Sequence, residues 1–428
     1  MKISVLGLGH VGAVSAACLA RDGHEVIGVD AERAKVDLIN AGKTPIIEKE
    51  IGAIIAEQVA AGRLRASTEL AQALRYTDLS LVCVDTPSQP NGGIDLKYVR
   101  HACEQIGRSL AMHHGAPVIV VRSTLLPGTM REVVIPALEK ASGKRAGEEF
   151  GVCINPQFLR EGTAVHDYDH PPKTVIGEMN RASGDLVAAL YAGTPGPLIR
   201  TDLETAELVK YADNAWHALK VGFANEIGNV CKALGVDAHE VMDMFCQDLK
   251  PGLTFGGSCL SKDVRSFLYK AKTLDLSLPI LGAILPSNAL QIERGVQAVV
   301  EKGKKKVGIL GFSFKAGTDE LRESPMVELA ERLIGKGFDL RVYDRNVNLA
   351  AVDGANRDYI LNKIPHISRL MVPTIDEVLS HAQTIVIGNG SAEFADVPRR
   401  LGDGQSVIDF VRVCGSRTVV GVYEGICW

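Results

Sequence analysis

A chain of 428 residues, 46% hydrophobic and 23% charged, has material for two or three domains with sizeable cores, which excludes wholesale disorder. A formal net charge of −4 speaks against a broad nucleic-acid-binding face, though not against a small basic pocket for a phosphorylated ligand. No apolar run is long enough to span a bilayer, and the nine cysteines form no CxxC pair, the pattern of reduced thiols in a cytoplasmic protein without a metal site.

The chain begins on the strand-like MKISVLGLG, which leaves no room for a signal peptide. The apolar residues 3–6 meet Gly7-Leu8-Gly9-His10-Val11-Gly12, helical spacing runs on to about Arg21, and a second strand-like run ends at Asp30. GxGxxG alone is a weak signal, but here it follows a strand, opens a helix and precedes an acidic strand end. Gly7 allows a tight turn, Gly9 lets backbone approach a pyrophosphate, and Gly12 lets helix and strand pack closely. The helix N-terminus supplies N–H groups to the phosphates. Asp30 accepts from ribose hydroxyls and repels a 2′-phosphate, so NAD⁺ is expected rather than NADP⁺. A regulator that only binds NAD would carry the same fingerprint.

Strand-like runs at 79–84, 117–121, 151–154 and 174–176 alternate with helix-forming stretches, which predicts a doubly wound parallel sheet. Asp85-Thr86-Pro87 and Arg122-Ser123-Thr124 follow two of these strands, at the edge where such sheets bind ligands. Glu161, in the segment 155–162, follows a third; it either starts a helix or holds a water near the pocket.

From Glu204 to about Leu234 there is no proline, which predicts one helix of roughly 30 residues, about 45 Å long. A rod of that length joins two domains and offers a dimerisation surface. Lys210, Asn214, His217 and Asn225 fall within a sector of about 80° on it, either a solvated stripe or one wall of a site. Further helices are expected to about Lys302. Between them, Gly256-Gly257-Ser258-Cys259 puts a thiol in a small-residue loop beside Lys262-Asp263, whereas Cys18, Cys83 and Cys153 lie in apolar runs. Exposure, backbone donors and nearby charge suit a nucleophile, with a harmless loop cysteine as the alternative.

Lys304-Lys305-Lys306 reads as a solvated linker into residues 307–311, a second buried strand. A helix at 325–336 and strands at 339–343 and 384–387 make a second α/β domain, a distant echo of the first; Gly402-Asp403-Gly404 is a turn. The expected fold class is α/β, with two Rossmann-like doubly wound domains joined by a long central helix. The expected divisions are 1–202, 203–302 and 303–428.

These motifs, together with Phe314-Lys315 and Arg322-Glu323-Ser324-Pro325, make the chain resemble the UDP-glucose/GDP-mannose dehydrogenase family over essentially its whole length. The segments Asn214-Ala215-Trp216-His217, 314–319 and Glu424-Gly425-Ile426-Cys427-Trp428 favour GDP-mannose as the sugar nucleotide, with UDP-glucose or a UDP-N-acetylhexosamine as the alternative. The resemblance implies a homodimer with shared active sites, or a larger assembly. It also implies oxidation of a sugar C6 alcohol to a carboxylate through a cysteine thioester, supplying uronate for an alginate-like polysaccharide. By resemblance Cys259 is the nucleophile, Lys210 and Asn214 stabilise oxyanions, and Glu161 and Asp263 assist proton transfer and water activation. NAD contacts then map to Gly7, Gly9, His10, Val11, Gly12, Asp30, Lys35, Thr86, Thr124, Lys262 and Arg322. Sugar-nucleotide contacts map to Leu159, Arg160, Glu161, Lys210, Asn214, His217, Asn225, Lys250, Leu253, Gly256 and Lys315, and the C-terminal division is the sugar-nucleotide domain. A two-electron hydroxyacid dehydrogenase, which would not need Cys259, and a non-catalytic NAD sensor are the rival readings.

Four departures from the family pattern stand out. His10 replaces a usual Tyr, Gln157 a usual Glu, and Ser261 a usual Pro. Between Asp248 and Leu249 about nine residues, with an adjacent Tyr pair that helps bind nucleotide, have no counterpart. Because both flanks keep the pattern, a mobile loop belonging to the full polypeptide is expected there, with a deletion as the alternative.

Overall fold

The computed structural model describes residues 1–75, 77–113, 115–246, 249–347, 354–413 and 422–428. The chain divides into two units, Met1–Asp213 and Asn214–Trp428.

The first unit is built on strands β1 (Lys2–Leu6), β2 (Glu25–Val29), β3 (Leu64–Ser67), β4 (Leu79–Val82), β5 (Val118–Val121), β6 (Gly151–Ile154), β7 (Thr174–Glu178) and β8 (Leu198–Thr201). Among the described residues they form one sheet in the order β3-β2-β1-β4-β5-β6-β7-β8. The central strands are apolar on both faces because helices cover both. One core gathers Val5, Leu8, Val14, Ile39 and Ile55, and the other gathers Leu6, Ile106, Leu138 and Ile154. The sheet departs from the expected all-parallel form at one place: β7 runs antiparallel to β6, pairing Cys153 with Glu178, and is parallel to β8. The edge strands β3 and β8 carry no continuous apolar run, since one side of each lacks a neighbour, and so gave no strand signal.

The predicted rod is the helix Leu203–Leu234, 32 residues long. In the second unit come the helices Ala238–Phe245, Leu260–Thr273 and Pro279–Glu301, then β9 (Lys306–Leu310), β10 (Asp339–Tyr343), β11 (Thr384–Ile387), β12 (Ser406–Asp409) and β13 (Val422–Gly425). The described strands are all parallel, in the order β10-β9-β11-β12-β13, with cores on both faces. The lysine run is less free than a linker. Lys305 lies 4.3 Å over the Phe338 ring, and Lys304 donates to the Gly404 carbonyl within the expected 402–404 turn.

Both units use one device at the first strand–helix turn. Gly7 has φ +89° and the Leu8 N–H donates to Asp30 at 2.7 Å; Gly311 has φ +85° and the Phe312 N–H donates to Asp344 at 2.8 Å. At both of these glycines a Cβ would crowd a neighbour, the Cys83 carbonyl oxygen at 2.8 Å for Gly7 and the Asn389 side chain at 2.5 Å for Gly311, but two residues on in the first turn a Cβ on Gly9 would meet no protein atom within 4 Å. The first turn keeps room for a ligand.

Candidate active site

In the first unit, the glycines divide their work as their spacing implied. A Cβ on Gly7 would lie 2.8 Å from the Cys83 carbonyl oxygen, and one on Gly12 1.7 Å from the Gly7 carbonyl oxygen, so strand, turn and helix touch there. The helix His10–Arg21 begins on Gly9 without a side-chain cap, leaving its first N–H groups to a ligand. Asp30 is held at the end of β2 by the N–H groups of Leu8 and Glu32, at 2.7 and 2.9 Å. Burial works against charge on Lys35, but Glu32, 2.7 Å away, with Asp30 and Asp85 around it, holds its ammonium above the usual range. An open glycine floor, uncapped amides and a fixed carboxylate fit a dinucleotide bound through pyrophosphate and ribose.

Beyond β4 and β5, Thr86 is buried and Thr124 half-buried. The loop after Thr124 is anchored by Glu207, one turn before Lys210, whose carboxylate accepts the N–H groups of Gly128 and Met130 at 2.7 and 2.8 Å. Burial still pushes Glu207 up to about 7. After β6, Asn155 donates to the Val175 carbonyl at 2.7 Å, and Gln157 accepts the Leu159 N–H at 2.6 Å. Arg160 is engaged in its own unit, with its guanidinium on Asp167 at 2.7 and 3.0 Å. Glu161 is half-buried, immediately before Gly162 at φ +81°. The buried Lys210 lies 5.2 Å over the Phe158 ring, a face that favours a cation.

In the second unit, Cys259 is the exposed thiol among the described cysteines. Cys18, Cys103 and Cys153 are pushed up to about 12, and Cys83 and Cys427 to about 11, by burial. Cys259 instead begins the helix Leu260–Thr273, whose dipole, positive at this end, favours negative charge on sulfur. The preceding glycines have no room to be anything else. A Cβ on Gly256 would lie 2.5 Å from the Glu323 carbonyl oxygen, and Gly257, at φ +82°, lies against the Phe314 ring. One turn on, buried Asp263 accepts the Asn214 amide at 2.5 Å and lies 3.2 Å from Lys262. Ser261, in place of the family proline, is buried in that first turn.

Asn225 grips the next segment: it accepts the Gly252 N–H at 2.9 Å and donates to the Leu253 carbonyl at 3.4 Å. Lys250 is paired with Asp243 and Arg322 with the buried Glu320, so each would have to exchange a carboxylate for a ligand. Lys315 is half-buried, its carbonyl accepting from Thr318 at 2.8 Å, and His217 is exposed on the long helix while Lys210, Asn214 and Asn225 are buried. Asp248, where the family segment is missing, lies outside the described residues. The expectation of additional residues there is corrected. The full sequence holds 428 residues and no counterpart of the family loop there.

Reasoning from sequence missed Glu48 and Glu207, both buried carboxylates that accept backbone N–H groups remote in sequence. Neither belongs to a local motif that spacing could flag.

Residues 1–194, 204–289 and 308–416 match the UDP-glucose/GDP-mannose dehydrogenase family, respectively its NAD binding, central and UDP binding domains. The chain is 51% identical to GDP-mannose 6-dehydrogenase of Pseudomonas putida over 438 aligned positions, covering 100% of both chains. That alignment is longer than the chain itself, consistent with a deletion. Among solved structures, a ternary complex of GDP-mannose dehydrogenase from Pseudomonas aeruginosa is 50% identical with all of both chains covered and a TM-score of 0.58. A UDP-glucose dehydrogenase from Pyrobaculum islandicum is 32% identical, covering 100% of this chain and 97% of that one, with a TM-score of 0.89.

Proposed function

The chain belongs to the UDP-glucose/GDP-mannose dehydrogenase family, and from that premise we propose that it is a GDP-mannose 6-dehydrogenase. GDP-mannose, two NAD⁺ and water give GDP-mannuronate, two NADH and three protons, with the uronate destined for an alginate-like polysaccharide. Identity of 51% over the whole of both chains carries this reading. NAD is the cofactor; when bound it accepts a hydride from C6 in each of the two oxidations.

The protein's own residues supply the rest. Gly7, Gly9, His10, Val11 and Gly12 receive the pyrophosphate; Asp30 and Lys35 hold the adenosine ribose; Thr86, Thr124, Lys262 and Arg322 complete the cofactor contacts. Asp263 or Lys210, through water, takes the C6 hydroxyl proton. The Cys259 thiolate then adds to the aldehyde carbon, forming a C–S bond and a thiohemiacetal. Lys210 and Asn214 stabilise the oxyanion, a contribution of about 3–4 kcal/mol for preorganised donors. Loss of the second hydride leaves a thioester. Water held by Glu161 adds to it, the C–S bond breaks, and the thiol is restored. Leu159, Arg160, His217, Asn225, Lys250, Leu253, Gly256 and Lys315 bind the sugar nucleotide, the last from a C-terminal domain at 303–428 that follows the NAD domain at 1–202 and the helical region at 203–302.

The enzyme works as a homodimer. Trp216, Phe223, Val230 and Leu234 are exposed along the long helix, three of them seven residues apart, an apolar stripe that suits a second copy of the chain. No described helix is long and apolar enough to cross a membrane, and we place the enzyme in the cytoplasm.

A panel of GDP-mannose, UDP-glucose and UDP-N-acetylhexosamines, with NADH counted per acid, tests this function. Two NADH per acid and preference for GDP-mannose are expected. One NADH per product would favour a hydroxyacid-type dehydrogenase, preference for a UDP-sugar would overturn the substrate, and binding without turnover would make the chain a sensor. Cofactor choice rests on Asp30: Asp30→Ser should narrow the NAD⁺ over NADP⁺ preference about tenfold or more, because a carboxylate beside a 2′-phosphate is strongly repulsive. Equal wild-type efficiency with both cofactors would contradict that role.

A further inference from the structure

We propose that Glu48 is a positioning residue that couples the dinucleotide turn to the segment carrying Glu161, through one buried carboxylate shared by His10 and the Gly162 N–H. The inference rests on the reading of Glu161 as part of the reaction machinery. Glu48 lies in the connection between the helices Arg33–Asn40 and Ile51–Ala60, and its side chain has no exposed surface. Its Oε2 accepts the Gly162 N–H at 2.8 Å and lies 3.0 Å from His10 Nε2, at ion-pair distance though without hydrogen-bond alignment. Its Oε1 accepts the Lys49 N–H at 3.2 Å.

Burial by itself would raise the pKa of this carboxyl. His10 and the N–H groups of Gly162 and Ala164 outweigh it and hold Glu48 below the usual range, hence ionised. An ionised carboxylate is costly to bury and persists only while its partners stay in place. Here those partners belong to two segments with separate jobs. His10 is the first residue of the helix whose start faces the open space over Gly9, where the pyrophosphate is received. Gly162 follows Glu161 and, at φ +81°, turns the backbone so that its N–H meets Glu48. A pyrophosphate received beside His10 and the Glu48 carboxylate both draw on the one imidazole, and Glu48 in turn fixes the backbone next to Glu161. Cofactor binding thereby sets the geometry of the water-holding residue, and departure of reduced cofactor between the two oxidations relaxes it.

The test compares Glu48→Gln, His10→Phe and the double variant in the full-length enzyme, measuring NAD⁺ Kd and kcat at saturating GDP-mannose and NAD⁺. Glu48→Gln keeps an acceptor for Gly162 but loses the charge opposite His10. It should weaken NAD⁺ binding about fivefold, in the range of ordinary site–site coupling, and lower kcat about tenfold or more, as misplacement of a reacting group does. In the His10→Phe background the Kd effect of Glu48→Gln should shrink to less than about twofold. His10→Tyr, with a hydroxyl able to donate to Glu48, should restore the coupling. A filler of the core would change melting temperature alone; unchanged kcat, or equal Kd effects in both backgrounds, overturns the proposal. If Glu48→Gln does not fold, His10→Phe decides, since unchanged kcat at saturating NAD⁺ overturns it too. Glu161→Gln separates the two layers. If it lowers kcat while Glu48→Gln does not, the coupling fails and the role of Glu161 stands; if it leaves kcat unchanged, the role of Glu161 fails and the coupling with it.

Discussion

Replacing Cys259 by Ser is expected to abolish formation of the sugar acid, with a loss of ~10³-fold or more, while the chain still folds and binds NAD⁺. The substitution changes one exposed atom, from sulfur to oxygen, at the start of a helix. A hydroxyl there is far less acidic than a thiol and does not capture an aldehyde as a thiohemiacetal at neutral pH. Surface substitutions of this kind move stability by about 0.5 kcal/mol or less. The substitution leaves every residue of the dinucleotide turn unchanged, so cofactor affinity should be within twofold or so of wild type. The buried thiols do not offer a substitute nucleophile, because burial holds each of them protonated at neutral pH. Acid formation by the Ser variant at the wild-type rate would mean that oxidation does not pass through this sulfur.

Gly12→Ala is expected to cripple cofactor binding. The added Cβ would lie 1.7 Å from the Gly7 carbonyl oxygen, a backbone atom that cannot rotate away, and 3.3 Å from the Cys83 side chain. Helix or turn must move, which costs about 1–3 kcal/mol in a well-packed site and shifts the amides that face the pyrophosphate. NAD⁺ affinity should fall about 10²-fold, and the melting temperature should drop. Gly9→Ala supplies the contrast, since its Cβ would meet no protein atom within 4 Å. It should also weaken NAD⁺ binding, by occupying the phosphate space, while leaving the melting temperature of the free enzyme near wild type. Calorimetric binding and thermal melts of the two variants check both arms; NAD⁺ binding at wild-type affinity by Gly12→Ala would overturn the assignment of this turn.

What was legible in the sequence follows from where the determining interactions lie. The runs 3–6, 79–84, 117–121 and 151–154 became central strands because apolar residues on both faces of a strand have few other uses. The glycine turn was legible because steric demands on glycine act over a few residues. The rod at 204–234 was legible because a long proline-free periodic stretch has no competing structure. The edge strands β3 and β8 were not, since LRAS and LIRT owe their pairing to neighbours that local pattern does not name. Nor was the reversal at β7, which a strand's own residues do not encode. In the site, Cys259 announced itself through its glycines, while Glu48 and Glu207 hold loops by hydrogen bonds spanning 114 and 79 residues. The ion pairs that occupy Arg160, Lys250 and Arg322 were also hidden, although their partners lie only seven, seven and two residues away, because spacing alone does not tell a paired side chain from one left for a ligand. The deletion after Asp248 was visible only as a departure from the family pattern, and continuity of that pattern on both flanks pointed the wrong way.

The central claim is a covalent bond between Cys259 and C6 of the sugar. Rapid acid quench of the wild-type enzyme turning over GDP-mannose with limiting NAD⁺, followed by peptide mass spectrometry, reads that bond directly. The account predicts a sugar-nucleotide adduct on the peptide containing Cys259, absent from the Cys259→Ser variant and lost when NAD⁺ and time allow hydrolysis. An unmodified Cys259 peptide throughout turnover, with acid still formed at two NADH each, would contradict it.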